Sequence, residues 1–166
     1  MRSARARLWL SLLAAACTPL LAAPATHAQG IGFQGGVTVN PEQVYVGTHM
    51  ELPLGSDQLV LRPAIDGGFG SNLRVAAIGA ELQYRIELGN SGWRLSQGFG
   101  PSVYIARIGG TFRDAEAKDV SSAWTYAFGL VHEGGFFTEF KGGGSRSFTI
   151  PMLRIGAGFT IRPERP

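Results

Sequence analysis

The residues of this 166-residue chain whose types could carry chemistry are three histidines, one cysteine and a few glycine clusters. His49 lies two residues before Glu51, and an imidazole beside a carboxylate is the minimum of a general-base pair. A desolvated polar network inside a protein needs the same neighbours, and that reading ranks first for His49. Gly30-Ile-Gly-Phe-Gln-Gly35 has the letters of a dinucleotide fingerprint. That motif works only between a strand and a helix whose N-terminus receives the pyrophosphate. Here the segment opens a strand-like run, so its glycines read as space beside a first strand. Gly142-Gly-Gly-Ser145 lacks the Gly-Lys-Ser/Thr ending of a phosphate cradle and reads as a loop. No His, Asp or Glu spacing matches a metal site. No catalytic, cofactor-binding or metal-binding residue is therefore expected.

Charge excludes a further class. The chain has 15 Lys and Arg against 12 Asp and Glu, but Arg2, Arg5 and Arg7 supply the whole excess. The remainder is balanced, so the basic pI of about 9.4 is no nucleic-acid footprint. Those arginines precede an apolar run from Leu8 to Ala16 and small residues toward Ala28, the order of a secretory signal. Cleavage is expected after Ala28, although Ala23-Pro24-Ala25 offers a second site. This divides the chain into a signal peptide, 1–28, and a mature domain, 29–166. The run is too short for a membrane helix. Cys17 follows Leu13-Ala14-Ala15-Ala16, which resembles a lipobox, but the aliphatic residue is one position too far from the cysteine. A plain cleavable signal fits better and leaves a mature chain without cysteine, hence without disulfide or thiolate chemistry.

The elements that must position any site are strands. All 24 glycines lie at or after Gly30, and alternation broken by regular turn clusters marks an all-β meander. Eight strands are expected: Ile31 to Val39, Gln43 to Leu52, Leu59 to Phe69, Leu73 to Leu88, Trp93 to Arg107, Ser122 to His132, one from Phe136 interrupted by Gly142-Gly-Gly144, and Ser147 to Ile161. A polar loop, residues 109–121, carries Arg113, Asp114, Glu116, Lys118 and Asp119.

The two faces of these strands decide the class. One parity places Ile78, Leu82, Tyr84, Ile86, Leu153, Ile155 and Phe159 together. The other places His49, Glu51, Arg62, Asp66, Glu81, Gln83, Arg85, Glu87 and Arg154 among Gly, Ala and Ser. A soluble barrel would put the polar parity in water and charge it densely. Sparse charges of both signs among small residues suit a narrow interior in which ions must pair. Apolar-out, polar-in strands of this length describe a transmembrane barrel. Trp93, Trp124, Tyr126 and Tyr84 are expected near strand ends, as aromatic girdles.

The signal-like start, the eight-strand meander and the closing Met152-Leu-Arg-Ile-Gly-Ala-Gly-Phe-Thr-Ile161 resemble the small eight-stranded outer-membrane barrels, the superfamily of the OmpA membrane domain and OmpX. The resemblance covers the whole mature chain through pattern, without an invariant motif. It implies a monomeric outer-membrane protein with periplasmic termini, in contact with outer-membrane lipid and the insertion machinery. Members often end on an aromatic residue; here Thr160-Ile-Arg-Pro-Glu-Arg-Pro166 follows Phe159, so either Phe159 or Ile161 takes that role or the chain uses a noncanonical signal. His132-Glu133 is faintly similar to the histidine of the outer-membrane lipid A deacylases, which have a serine two residues later, where this chain has Gly134. The leading expectation is a non-enzymatic barrel whose interactions run through the 109–121 loop. A lipocalin-like binder of an apolar ligand, with parities reversed, and a lipid-modifying enzyme are the alternatives. Processing after Ala28 predicts a mature amino terminus at Gln29, which intact-mass measurement checks; a diacylglyceryl mass on Cys17 would overturn it.

Overall fold

The computed structural model describes residues 30–71, 73–108, 117–144, 151 and 153–163. The expected signal segment with Ala28 and Cys17, and residues 109–116 and 147–150, lie outside them. Eight antiparallel strands close into a barrel in chain order: β1 (Gly30–Val39), β2 (Gln43–Ser56), β3 (Leu59–Phe69), β4 (Leu73–Glu87), β5 (Trp93–Ile108), β6 (Ala117–His132), β7 (Phe136–Gly144) and β8 (Leu153–Ile161). Each strand pairs with its sequence neighbour, and β1 closes on β8. Closure removes the free strand edges that a meander would otherwise expose.

Residue pairing fixes the barrel's dimensions. Partners taken in turn from Leu59 lead through Tyr84, Gln97, Phe128, Phe140, Ile155, Val37 and Val44, and return to β3 at Phe69. The circuit climbs ten residues, from Leu59 to Phe69. Ten residues of about 3.3 Å against eight strands about 4.8 Å apart require a tilt of about 41° and a radius of about 8 Å. Each residue then rises about 2.5 Å along the barrel axis. Below, the lower end is the one where β1 starts and β8 finishes.

Alternation along the strands produces two unlike faces. In β6, Ala123, Thr125, Ala127, Gly129 and Val131 are buried while Trp124, Tyr126, Phe128 and Leu130 are exposed. The same inversion runs around the barrel: inside are polar and small residues with a few larger ones such as Tyr45, Val60 and Phe137, and most of the Ile, Val, Phe and Leu side chains lie outside. Glycine abundance has a spatial reason at this radius. A Cβ on Gly156 would collide with the Tyr45 hydroxyl, one on Gly32 with the His49 ring, and one on Gly158 with the Phe137 ring. Each glycine makes room for a large inward side chain on an adjacent strand or one strand beyond. At the lower turn after β6, Gly135 has a φ of 98° and its carbonyl accepts the Thr160 N–H at 2.9 Å. That conformation suits glycine.

Several expected boundaries move. β2 runs to Ser56 rather than Leu52, with a register shift between Pro53 and Ser56 where proline lacks an N–H to donate. β6 begins at Ala117, five residues before the expected Ser122, so Lys118 and Asp119 belong to a strand rather than the loop. Trp124 and Tyr126 consequently lie mid-strand, stacked on Phe99 at centroid distances of 6.2 and 6.5 Å, and not at a strand end. Gly142-Gly-Gly144 continues β7, pairing with Tyr126, Thr125 and Trp124, because a ladder needs only backbone N–H and C=O. β8 starts at Leu153, leaving the buried Pro151 ahead of it.

Crowding across strands predicts that Gly156→Ala costs about 1–3 kcal/mol, the usual range for overpacking. Adding Tyr45→Phe removes the colliding oxygen and should recover part of that loss in a urea titration.

Candidate functional site

Among the described residues, eight charged side chains are buried in the barrel: Glu51, Asp66, Glu81 and Glu139 against Arg62, Arg85, Lys141 and Arg154. Four of each sign keep this interior neutral, as a low-dielectric space requires. The residues stand in tiers set by the strand tilt. In the lower tier, Arg85 donates through both terminal nitrogens to Glu51, Nη2 to Oε1 at 2.7 Å and Nη1 to Oε2 at 3.2 Å. This bidentate pairing is the geometry in which guanidinium and carboxylate bind most strongly. Arg162, at the lower mouth, adds an Nε contact to Glu51 Oε2 at 3.0 Å.

The middle tier joins strands far apart in sequence. Arg62 Nη1 on β3 meets Glu139 Oε2 on β7 at 2.6 Å. Lys141 Nζ lies between Glu81 at 2.9 Å and Glu139 at 3.2 Å. Gln34 accepts from Arg62 and donates to Asp66, linking this tier to the upper one. There Arg154 meets Asp66 at 2.9 Å, with its guanidinium 4.0 Å from the centroid of the Tyr45 ring. Above lies an apolar layer of Val75, Ala77, Tyr104, Ala106 and Ala123. Two interior cavities of about 10 Å³ each, one beside Tyr45 and Arg154 and one beside Arg62 and Glu139, have room for about one water.

His49 serves this network as a connector. Arg62 Nη2 approaches its Nδ1 at 3.2 Å, and its Nε2 lies 3.0 Å from Thr160 Oγ1. Thr160 in turn donates to Glu51 Oε1 at 3.3 Å. A proton on Nε2 satisfies all three bonds. Both ring nitrogens are thus engaged, and His49 itself is only 2% exposed. His132 is placed differently, at the lower turn, where its Nδ1 accepts the Gly134 N–H at 3.0 Å and its ring meets Trp93 at 4.9 Å.

Of the residues expected inside, His49, Glu51, Arg62, Asp66, Glu81, Gln83, Arg85 and Arg154 come together. Glu87 does not: it has the right parity but stands at the last position of β4, exposed, facing Arg94 at 3.3 Å. Its alternation is correct and its depth is wrong. Glu139, Lys141 and Gln34 went unread. The first two share a parity in Phe137-Thr-Glu-Phe-Lys141, a signal obscured by the glycines that follow. Ile78, Tyr84, Ile86, Leu153, Ile155 and Phe159 are exposed on the outer wall, and Leu82 is half-buried there beside Tyr84, Phe99 and Phe128.

Neither a protein-family model nor a curated protein sequence matches this chain. Solved structures do match. The N-terminal β-barrel domain of Pseudomonas aeruginosa OprF superposes with a TM-score of 0.63 at 15% identity, over 81% of this chain and 97% of that one. The fold is that of the small eight-stranded outer-membrane barrels. Neisserial surface protein A gives 0.59 at 11% identity over 81% of this chain and 96% of its own. The Yersinia pestis outer membrane protein Ail, in a phospholipid bilayer nanodisc, gives 0.50 at 10% identity over 81% and 100%. At such identities it is the architecture that is shared.

In this interior, removing one partner strands the other. Arg85→Ala is expected to destabilise the barrel by roughly 3–5 kcal/mol, the range for breaking a buried ion pair, in urea titration of protein folded in bilayers. Glu87→Ala, which removes only an exposed contact, should change stability by less than about 0.5 kcal/mol.

Proposed function

We propose that this chain is exported, processed after Ala28 and inserted as a monomeric barrel in a bacterial outer membrane, where it acts without enzymatic chemistry. The observation that carries this reading is the outer wall. Among the described residues, twenty-six large hydrophobic side chains are exposed, from Ile31 and Phe33 on β1 to Phe159 and Ile161 on β8. A belt of that kind far exceeds the patches soluble monomers expose. Ten residues separate Tyr84 near the lower end of β4 from Arg74 near its upper end, about 25 Å at ~2.5 Å per residue. That height equals the apolar band of outer-membrane barrels.

The interior argues for a closed barrel rather than a pore. At a radius of about 8 Å side chains fill an eight-stranded barrel, and here they are ion-paired across it. Any physiological contact outside the membrane falls to the upper end, through the segment joining β5 to β6. A lipocalin-like role would need an apolar cavity within, where this chain keeps charges. A lipid-modifying role would need a nucleophile activated by His132, whose Nδ1 is held by the turn backbone.

Fractionation of cells expressing the full chain should place it in the outer membrane. Labelling then tests the parities. A fluorophore at Leu82→Cys is expected to be quenched strongly by lipids carrying quenchers in their tails. Gln83→Cys, enclosed by Glu81, Arg85 and Ser96, should resist a membrane-permeant maleimide until the barrel is unfolded. A soluble protein with an unquenched label at residue 82 would end the membrane reading.

A further inference from the structure

One polar side chain stands apart on the outer wall, and it lies in a groove. Among the described residues, the outward strand positions between the levels of Tyr84 and Phe69 carry no Asp, Glu, Lys or Arg, and Gln97 is their one amide. Register places Gln97 between two aromatic residues, Tyr84 on β4 and Phe128 on β6. Its side chain is thinner than the rings on either side. A groove of about 470 Å³ runs over it, with the half-buried Leu82 in the floor. Phe99, stacked on Tyr126 at a centroid distance of 6.5 Å, bounds the upper end.

From Tyr84 one strand step leads to Gln97, two residues lead up β5 to Phe99, and a second step leads to Tyr126. Each step around the barrel climbs about 1.25 residues and each residue about 2.5 Å, so the groove is about 11 Å tall. That is nearly half of a ~25 Å apolar band. Two strand spacings separate Tyr84 from Phe128, about 10 Å before the rings narrow the gap. A cleft one leaflet deep and one chain wide fits a single acyl chain. A second barrel alongside would meet the wall over its full height, and its convex side would not enter the cleft.

Gln97 stands one strand step above Tyr84, about 3 Å, close to the lower border of the band, where acyl chains join the linkages of their lipids. Among the described residues its amide has no hydrogen-bond partner. The neighbouring Tyr84 hydroxyl is turned away, donating to Gln58 Oε1 at 3.5 Å. An amide left unpaired among acyl chains is costly. We propose that this groove holds one acyl chain of a diacyl phospholipid from the lower, periplasmic leaflet, with Gln97 Nε2 donating to the ester carbonyl of that chain. This rests on the membrane reading proposed above. An apolar cleft with one placed polar group fixes its ligand in this way. With no charged side chain on the wall around it, the site reads the ester linkage and not the headgroup.

The test folds the full chain into vesicles of ester-linked phosphatidylcholine or of its ether-linked counterpart, which lacks the carbonyl. Lipid carried through detergent extraction is counted by native mass spectrometry. The wild type is expected to carry a single lipid and to hold the ester form about fivefold better, the usual worth of one hydrogen bond. Phosphatidylglycerol with the same ester-linked chains should be held as well as phosphatidylcholine. Gln97→Leu should hold the two linkages equally, and Leu82→Trp, which fills the floor, should carry neither. Equal retention of ester and ether lipid by the wild type would overturn the Gln97 contact, even if neither variant folded. Retention by Leu82→Trp equal to the wild type would put the lipid elsewhere on the wall and overturn the groove. A dimer mass in place of a lipid adduct, lost in Leu82→Trp, would assign the groove to a second copy and overturn the lipid. Failure of the wild type to insert into any vesicle would overturn the membrane reading and the groove with it. Insertion without a retained lipid is a distinct outcome and overturns the groove alone.

Discussion

The ten-residue stagger of an eight-strand circuit is the constraint on which the rest of this molecule depends. It sets a radius of about 8 Å, and that radius decides what the interior can contain. Long inward side chains from opposite walls necessarily meet, as Arg62 of β3 meets Glu139 of β7. Charges placed there are desolvated, so each acid must have a base within reach, and four acids with four bases satisfy that requirement. The glycines answer to the same geometry, because a ring such as Tyr45 or Phe137 fits only where a neighbouring position has no Cβ.

The interior is thus a polar core inside an apolar exterior, the inverse of a water-soluble domain. Burial in the usual sense does little for this chain in water, where the exposed belt would favour aggregation. In a bilayer the belt is solvated by acyl chains, and backbone groups are satisfied by a ladder that has no edge. The ion-paired tiers then supply the specificity an apolar core supplies elsewhere. Glu51 receives three donor residues, Arg85, Arg162 and Thr160, drawn from β4 and from β8 and its end. Such a contact ties the last strand to the interior of the closed barrel.

His49, the residue most suggestive of catalysis, is instead a hydrogen-bond link between Arg62 and Thr160. Burial within a filled barrel removes the access that general-base chemistry needs.

Strand number, face assignment and barrel class were legible in the sequence, because a two-residue period is a local property that alternation reports directly. Leu82 and Gln83 could be sent to opposite faces without knowledge of any other strand. Depth and partnership were not legible. Glu87 follows the same alternation as Arg85, but two residues further along the strand it leaves the network for an exposed pairing with Arg94. Glu139 and Arg62 stand 77 residues apart, and nothing local says that they touch. Their meeting follows from register, tilt and closure together, which are properties of the whole circuit. The sequence therefore determined which side chains face inward, while the tertiary structure alone decided how high each one stands and which opposite charge it finds there.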